Sequence, residues 1–314
     1  PGKKNFVNLS NSYHGETLGA LALGDVALYK DTYQPLLMEV LTAPSPDAYN
    51  KEPGETDEEY ALRQFEAMDK LLAEKHDEIC AVVVEPLIQC AGGMRMHHPI
   101  YHTKLREACD RYGVHLIADE IAVGFGRTGT LFACEQSGIT PDFMCLSKGL
   151  TAGYLPLSVV LTTDTVYNAF YDDYETMRAF LHSHSYTGNP IGCAVALATL
   201  DIFRDENVIE NNRQLSRCMA ESVAHLADHP NVGDIRQHGM TMAIEMVKDK
   251  ASKTPFPWQE RRGIRVYKHS LTRQALLRPL GNVLYFMPPY VITEEQIRHL
   301  AQVATEGIEI AVKD

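Results

Sequence analysis

Short apolar runs alternate with segments of helical periodicity over the first 190 residues. Residues 79–85 form a continuous apolar run that ends before Pro86, which is typical of a buried parallel strand. Residues 99–112 carry apolar side chains at helical spacing and predict a helix. Further strands are predicted at 115–118, 143–146 and 157–161. This rhythm of strand and helix predicts an α/β sheet with helices on its faces.

Helical patterns dominate from about residue 189. Helices are predicted at 190–204, 208–226 and 258–274, with strands at 241–247 and 283–286. Thr293 and Gln296 form a capping-box pattern that predicts the start of a final helix. We therefore expect a larger α/β domain over 1–188 and a smaller α+β domain over 189–314. The polar segment 44–69 is predicted to be an exposed excursion.

Composition argues against several classes of protein but does not assign a function. The net charge of −12 argues against a nucleic-acid binder, because phosphate neutralisation requires a basic surface. No apolar run approaches the roughly 20 residues that cross a bilayer, and no signal-peptide pattern opens the chain. The seven cysteines are scattered without C-x-x-C spacing, so reduced thiols and a cytoplasmic location are expected. The histidines form no H-E-x-x-H pattern, and no metal is predicted.

Three features could carry chemistry. Asp119 ends a predicted strand, where open α/β sheets place their ligands, although a capping or salt-bridged acid gives the same pattern. Lys148 ends the next strand before a glycine, where an amine can act as a nucleophile, although a single lysine is more often on the surface. Tyr13 and His14 precede Gly15, which favours either an aromatic platform or an ordinary turn. Together they indicate a base-forming lysine, an acid and a stacking ring.

A glycine motif close to Asp119 suggests a different kind of binding site, one for a dinucleotide. Residues 124–129 (GFGRTG) match the G-x-G-x-x-G fingerprint of dinucleotide-binding proteins. That fingerprint also requires a helix opening at the glycines and an acid about 20 residues later. Residues 130–133 lack a long helical pattern, and the acid precedes the glycines. A nicotinamide or flavin site is therefore disfavoured.

The chain resembles the class III aminotransferases, which depend on pyridoxal 5'-phosphate (PLP) and have the PLP-dependent transferase fold type I. The resemblance runs almost end to end. It is carried by the ordered motifs at residues 11–15 (NSYHG), 84–86 (VEP), 118–121 (ADEI), 124–129 (GFGRTG), 147–149 (SKG) and 187–190 (TGNP). It implies a mostly parallel sheet, PLP as cofactor, small-molecule substrates and a homodimer with shared active sites.

The resemblance also implies how individual residues contact the cofactor. Lys148 would bind PLP covalently and move the proton between substrate and cofactor. Asp119 would pair with the protonated pyridine nitrogen. Tyr13 would stack on one face of the ring, Ile121 would pack on the other, and His14 would complete this set.

Other positions are implied to contact substrate or the second subunit. Ser185 matches the hydroxyl that reaches the cofactor phosphate of the neighbouring subunit. Arg278 matches the arginine that binds the substrate carboxylate, a role suited to a bidentate fork. Gly15 and Glu16, together with Tyr13, would lie near the substrate amine.

One branch of the family fits best. Gln89, Cys90 and Ala91 stand where relatives acting on ornithine or 4-aminobutyrate have a glutamate, and Ala122 replaces a common glutamine. Both changes resemble the branch of biotin biosynthesis that uses S-adenosylmethionine as donor and 8-amino-7-oxononanoate as acceptor. Supporting motifs lie at 24–26 (GDV), 92–96 (GGMRM), 131–135 (LFACE) and 285–290 (YFMPPY).

Two alternatives stay open. The donor could be lysine or an ω-amino acid, as in other class III transaminases. The chain could also be a catalytically incompetent fragment, because family members carry a further segment before Tyr13. That segment includes a Gly-Ser loop that binds the cofactor phosphate at a helix N-terminus, so the N-terminal part of the large domain is expected to be missing.

Overall fold

The computed structural model describes residues 2–313, and its first half is built on one six-stranded sheet. The strands of this half are β1 (Asn5–Leu9), β2 (Leu41–Ala43), β3 (Ile79–Val84), β4 (Ile88–Gln89), β5 (Arg95–Met96), β6 (His115–Asp119), β7 (Phe143–Leu146) and β8 (Val159–Thr162). The six-stranded sheet has the order β2-β1-β3-β6-β7-β8. Its neighbours are parallel except for the antiparallel pair β7 and β8, while β4 and β5 form a separate ribbon. The predicted α/β class with a mostly parallel sheet is confirmed.

The first half also contains two long helices and further short ones. They are α1 (Leu18–Leu23), α2 (Ala27–Lys30), α3 (Asp57–Lys75), α4 (Pro99–Tyr112) and α5 (Asp164–Asn168), with 3-10 turns at Asp31–Leu36, Ala48–Asn50, Ala133–Ser137, Lys148–Thr151 and Tyr174–Thr176. Of these, α3 and α4 pack against this sheet. Helix α4 has the predicted bounds because Pro99 occupies its first turn and Gly113 ends it at φ 61°. Leu105 of α4 packs with Val82 and Leu116 in the core beneath α3 and α4.

The expected exposed excursion over 44–69 is wrong for its second part. Helix α3 begins at Asp57, where Thr56 and Glu59 form a reciprocal capping box. Met68 and Leu72 are buried in the core that α3 shares with Leu105 of α4. The acidic first turn made the segment look exposed, although acids there favour a helix start.

The second half contains an antiparallel sheet flanked by helices. Its helices are α6 (Pro190–Asp205), α7 (Val208–Val223), α8 (Arg262–Thr272) and α9 (Glu294–Ala311), with 3-10 turns at Ala224–Asp228 and Trp258–Glu260. Its strands are β9 (Val232–His238), β10 (Thr241–Asp249), β11 (Thr254–Pro255), β12 (Pro279–Leu280) and β13 (Val283–Phe286). Strand β10 is central, since it pairs with β9, β11 and β13.

Helix α9 begins as the sequence predicted. Thr293 is its N-cap, and Gln296 completes the capping box. Ile297 and Ile308 are buried in a core shared with Met219 of α7. The helix predicted from residue 258 starts later, at Arg262, because Arg261 has a left-handed backbone (φ 50°).

The two halves contact one another closely. Ala196 of α6 packs with Phe125 and Leu146 of the first half. Arg236 of β9 donates from Nη2 to the Gly93 carbonyl at 2.7 Å. The division at residue 188 stays a prediction. No helix within residues 2–313 combines the length and apolarity needed to span a bilayer.

Candidate active site

A buried acid and a histidine meet at the end of β6. Oδ2 of Asp119, the last residue of β6, lies 2.8 Å from Nδ1 of His14. Its Oδ1 accepts the Ile121 backbone N–H at 3.1 Å. The two side chains are only 9% and 4% exposed. A carboxylate has about four lone-pair directions, so Asp119 is fixed in orientation and can still accept a further N–H.

The other ring nitrogen of His14 is unsatisfied. Nε2 is buried and has no hydrogen-bond partner among residues 2–313. When Nδ1 donates to Asp119, the neutral ring presents Nε2 as an acceptor. Buried polar atoms without a partner are uncommon and often mark functional positions. The ring of His14 therefore keeps one nitrogen that no described residue uses.

Tyr13, Gly15 and Glu16 form a turn beside this pair. The Tyr13 hydroxyl donates to Oε1 of Glu16 at 3.1 Å. Burial and this bond raise the pKa of Tyr13 above its ordinary value. Gly15 has φ 124°, a backbone that other residues rarely adopt, and it turns Glu16 back toward Tyr13. The ring of Tyr13 also packs against Tyr29, with centroids 5.1 Å apart.

Lys148 lies at the same sheet edge as Asp119. Strand β7 pairs in parallel with β6, with Cys145 opposite Asp119, and Lys148 follows directly after β7 and Ser147. Its backbone is left-handed at φ 43°. The side chain is exposed, and its ammonium has no hydrogen bond or ion pair with the described part of the chain. No described residue therefore holds the amine in a hydrogen bond or an ion pair.

Position 149 requires a glycine because the side chain of Phe125 lies very close to it. A Cβ at this position would lie 2.8 Å from Cβ of Phe125. Real Cβ atoms essentially never come this close, so a larger residue would push Lys148 or Phe125 from its place.

Glu85 and Cys90 are two site residues that the sequence reasoning did not assign. Glu85 follows β3 and accepts the N–H groups of Tyr13 and Cys90 at 3.0 and 3.1 Å. Burial raises the pKa of Glu85 to about 7 and that of Cys90 to about 12. The pattern that identified Asp119, an acid directly after a buried strand, could also have identified Glu85.

Ser185 and Arg278 lie on segments that contribute none of the residues described above. Both side chains are exposed, and neither has a hydrogen bond or ion pair with those residues in the described range. Ser185 belongs to a turn at the end of a long exposed stretch, and Arg278 precedes β12 in the other half. Their places in the site stay predictions from the sequence.

The glycine-rich segment has a structural partner in Glu120. Its carboxylate accepts the N–H groups of Ala133 and Cys134 at 3.0 and 2.8 Å. The glycines lead into the short 3-10 turn at Ala133–Ser137, and no helix opens at them. The dinucleotide interpretation therefore has no structural support.

Comparisons with known proteins assign the family. Residues 1–307 match the model of the family described as Aminotransferase class-III. The chain is 42% identical to an adenosylmethionine-8-amino-7-oxononanoate aminotransferase of Geobacter sulfurreducens, over 99% of this chain and 68% of that protein. It is 48% identical to the enzyme of the same name from Helicobacter pylori, over 94% of this chain and 65% of that protein. The chain thus spans about two thirds of the length of these relatives.

Two solved structures support the same family. The crystal structure of an adenosylmethionine-8-amino-7-oxononanoate aminotransferase from Methanocaldococcus jannaschii superposes with a TM-score of 0.90 at 36% identity, covering 98% of this chain and 68% of that one. An omega transaminase from Pseudomonas jessenii in complex with PMP gives 0.92 at 30% identity, with the same coverage. Class III aminotransferases depend on PLP. The chain belongs to the class III aminotransferases.

Proposed function

We propose that this chain carries the catalytic residues of an aminotransferase that moves the amino group of S-adenosylmethionine to 8-amino-7-oxononanoate, a step of biotin biosynthesis. One observation carries the proposal: the free amine of Lys148 and the oriented carboxylate of Asp119 lie at the ends of adjacent parallel strands. The names of the two relatives from Geobacter sulfurreducens and Helicobacter pylori support the choice of substrates.

The residues at this edge fit PLP. Asp119 is buried, is oriented by His14 and Ile121, and keeps capacity for one more N–H, which suits a protonated pyridine nitrogen. When bound, PLP supplies an electron sink for the charge that remains when a substrate carbon loses its proton. Tyr13 and Ile121 would pack against the ring, one on each face.

Lys148 would have two tasks. Its Nζ would bind the cofactor, and it would later accept the proton from the amine-bearing carbon of the substrate and return it. The absence of a protein partner for Nζ among residues 2–313 supports both, because an ion pair would favour the protonated form, which lacks the lone pair needed for attack and for proton transfer.

Two charged side chains would bind the charged groups of the substrates. Both substrates carry an amine and a carboxylate. Glu16, bonded to Tyr13 and carried by the turn at Gly15, would bind the cationic amine. Arg278, which is exposed and unpaired among the described residues, would bind the carboxylate through its guanidinium.

A second copy of the chain would complete the site. Ser185 follows a stretch in which large apolar side chains are almost fully exposed, including Tyr174 (97%) and Leu181 (90%). Apolar surface of this extent favours an interface. We propose a homodimer in which Ser185 reaches the cofactor phosphate of the partner. The seven free cysteines support a cytoplasmic location.

A single-turnover experiment tests the donor. The PLP-loaded protein is mixed with S-adenosylmethionine, lysine or 4-aminobutyrate, and the visible absorbance of lysine-bound PLP is followed. We expect S-adenosylmethionine alone to discharge the band and 8-amino-7-oxononanoate to restore it. Discharge by 4-aminobutyrate or lysine, without discharge by S-adenosylmethionine, would overturn the proposed substrates.

A further inference from the structure

Two residues with left-handed backbones lie on either side of one close contact behind the candidate active site. Phe125 has φ 55° and Lys148 has φ 43°. This region is rare for residues with large side chains, and such a backbone persists only where surrounding contacts hold it. Strained residues of this kind cluster at functional sites, so the contacts that hold Phe125 and Lys148 bear on the chemistry of the site.

The two residues are connected through Gly149. Phe125 is 2% exposed and packs with Leu146 and Leu150. A Cβ added to Gly149 would lie 2.8 Å from Cβ and 3.0 Å from Cδ2 of Phe125. The Phe125 side chain therefore lies directly on the backbone next to Lys148. Because protein interiors are closely packed, a shift of Phe125 would release or displace this backbone.

A tyrosine from the second half of the chain holds the backbone of Phe125. The Tyr290 hydroxyl donates to the Phe125 carbonyl at 2.6 Å. A Cβ added to the adjacent Gly126 would lie 3.3 Å from the same hydroxyl oxygen, so Tyr290 sits tightly against this turn. Burial raises the pKa of Tyr290 to about 12, so the hydroxyl keeps its proton and remains a donor at neutral pH.

The orientation of Tyr290 is itself fixed by Arg127. Nη1 of Arg127 donates to the Pro288 carbonyl at 2.5 Å. The guanidinium lies over the Tyr290 ring, 4.6 Å from its centroid, in a cation–π contact. Residues 125–127 and 288–290 thus each donate from a side chain to a backbone carbonyl of the other segment. These contacts together keep the Tyr290 hydroxyl directed at its acceptor.

We propose that Tyr290 is a positioning residue for Lys148. Its hydroxyl holds Phe125, and Phe125 holds the backbone at Gly149. This inference rests on the proposed function, in which Lys148 binds PLP. Without the hydroxyl, the Phe125 carbonyl loses its donor and the turn that carries the lysine opens more often. The amine then spends less time in the orientation that reaches the cofactor.

The link uses two sequence motifs that the candidate site leaves without a role. Residues 124–129 (GFGRTG) contain both Phe125 and Arg127, and residues 285–290 (YFMPPY) end at Tyr290. The first motif lies in the half of the chain that carries the reactive lysine, and the second lies in the other half. Through this link, the second half of the chain contributes to the orientation of the lysine.

Hydrogen exchange before PLP is added tests whether Tyr290 holds the turn at Lys148. Tyr290→Phe removes the hydroxyl and keeps the ring. We expect roughly fivefold faster exchange at the Leu150 and Ala152 N–H groups, which donate within the turn, as expected for losing one hydrogen bond. Tyr101→Phe is the matched control, because it removes a tyrosine hydroxyl that has no partner within residues 2–313.

Two measurements on the PLP-loaded chain separate positioning from a purely structural role. Titration with PLP, followed by absorbance, gives the affinity. Visible circular dichroism reports the orientation of the bound cofactor. In Tyr290→Phe we expect roughly fivefold weaker PLP binding and a weaker dichroism band at equal occupancy. Both should be unchanged in Tyr101→Phe.

Four outcomes would contradict this account. Equal exchange and equal PLP binding in Tyr290→Phe and Tyr101→Phe would overturn the inference. Faster exchange with unchanged affinity and dichroism would also overturn it, because Tyr290 would then stabilise the turn without positioning the amine. Weaker PLP binding without faster exchange would overturn the route through Phe125. An unmodified chain that binds no PLP would overturn the proposed function, and faster exchange in Tyr290→Phe would then still show that Tyr290 holds the turn.

Discussion

His14 and Asp119 form a nearly buried pair, with Nδ1 of the imidazole 2.8 Å from Oδ2 of the carboxylate. The histidine follows β1 and the aspartate ends β6, so the pair joins two strand ends that β3 separates. Because the imidazole holds one carboxylate oxygen, Asp119 cannot rotate away from the edge at which Lys148 lies. In the proposed function, this pair fixes the acid that faces the cofactor nitrogen.

The first prediction concerns that pair. His14→Phe keeps an aromatic ring but removes the bond to Asp119. We expect roughly tenfold weaker PLP binding, the effect of losing about one charged hydrogen bond. Titration with PLP, followed by absorbance, measures it. His115→Phe is the matched control, because His115 forms an exposed pair with Asp142 at 3.5 Å and should not affect PLP. Equal affinities in His14→Phe and the unmodified chain would contradict the role.

The second prediction uses the pH dependence of stability at Glu85. Burial raises the pKa of Glu85 to about 7 from 4.5, so between these values the folded chain binds the proton more tightly than the unfolded chain. The stabilisation is present below the unfolded pKa and is lost as the pH rises through the folded one. Relative to the unmodified chain, Glu85→Gln should therefore gain on the order of 1–3 kcal/mol in free energy of unfolding across this window.

Urea unfolding at a series of pH values measures this difference. Glu78→Gln, at an exposed position, is the control and should run parallel to the unmodified chain. Parallel curves for Glu85→Gln as well would show that Glu85 titrates normally and would contradict the prediction.

The third prediction concerns His102, whose pKa is lowered, so that stability changes with pH in the opposite direction. Burial lowers the pKa of His102 to about 3 from 6.5, and its Nε2 accepts the Leu87 N–H at 3.1 Å. The neutral ring is therefore favoured in the folded chain. Its contribution is present above the unfolded pKa and is lost as the pH falls from 6.5 toward 3.

His102→Gln, whose amide oxygen can accept the same N–H, should reduce this acid sensitivity by on the order of 1–4 kcal/mol between the two pKa values. Thermal unfolding at several pH values measures it. His299→Gln, on exposed α9 surface, is the control. Unchanged acid sensitivity in His102→Gln would contradict the account.

Much of the fold was predictable because local patterns agree with the packing. Residues 79–85 and 143–146 are apolar runs that became buried or half-buried strands, and α4 is bounded by Pro99 and Gly113. The sequence predicts that Asp119 and Lys148 lie at one edge of the sheet, because Asp119 follows one apolar run and Lys148 follows another after Ser147. In parallel strands, adjacent carboxyl ends meet at one edge, so sequence position alone brings the two close.

The remainder depends on contacts that sequence patterns do not contain. Helix α3 was missed because its buried face is narrow and its first turn is acidic. Glu85 gains its significance from the N–H groups of Tyr13 and Cys90, which come from other segments. Asn212 is an ordinary helical residue in the sequence, and only the folded chain shows that its amide is buried without a hydrogen-bond partner among residues 2–313.

The fourth prediction tests the contact behind Lys148. Gly149→Ala would place a Cβ 2.8 Å from Cβ of Phe125, so we expect a loss of about 1–3 kcal/mol in stability from overpacking and a lower PLP occupancy. Gly19→Ala is the matched control, because Gly19 is helical and a Cβ there would meet nothing within 4 Å. Chemical unfolding and PLP absorbance measure both effects. A Gly149→Ala variant as stable and as fully loaded as Gly19→Ala would contradict the contact.

The central claim is that Lys148 binds PLP covalently. The measurement is reduction of the PLP-loaded chain with borohydride, followed by proteolysis and mass spectrometry, which locates the attached cofactor. We predict one labelled peptide, containing Lys148, and no label in Lys148→Ala, which should fold because the side chain is exposed. Label on another lysine, or unchanged labelling of the Lys148→Ala chain, would contradict the account.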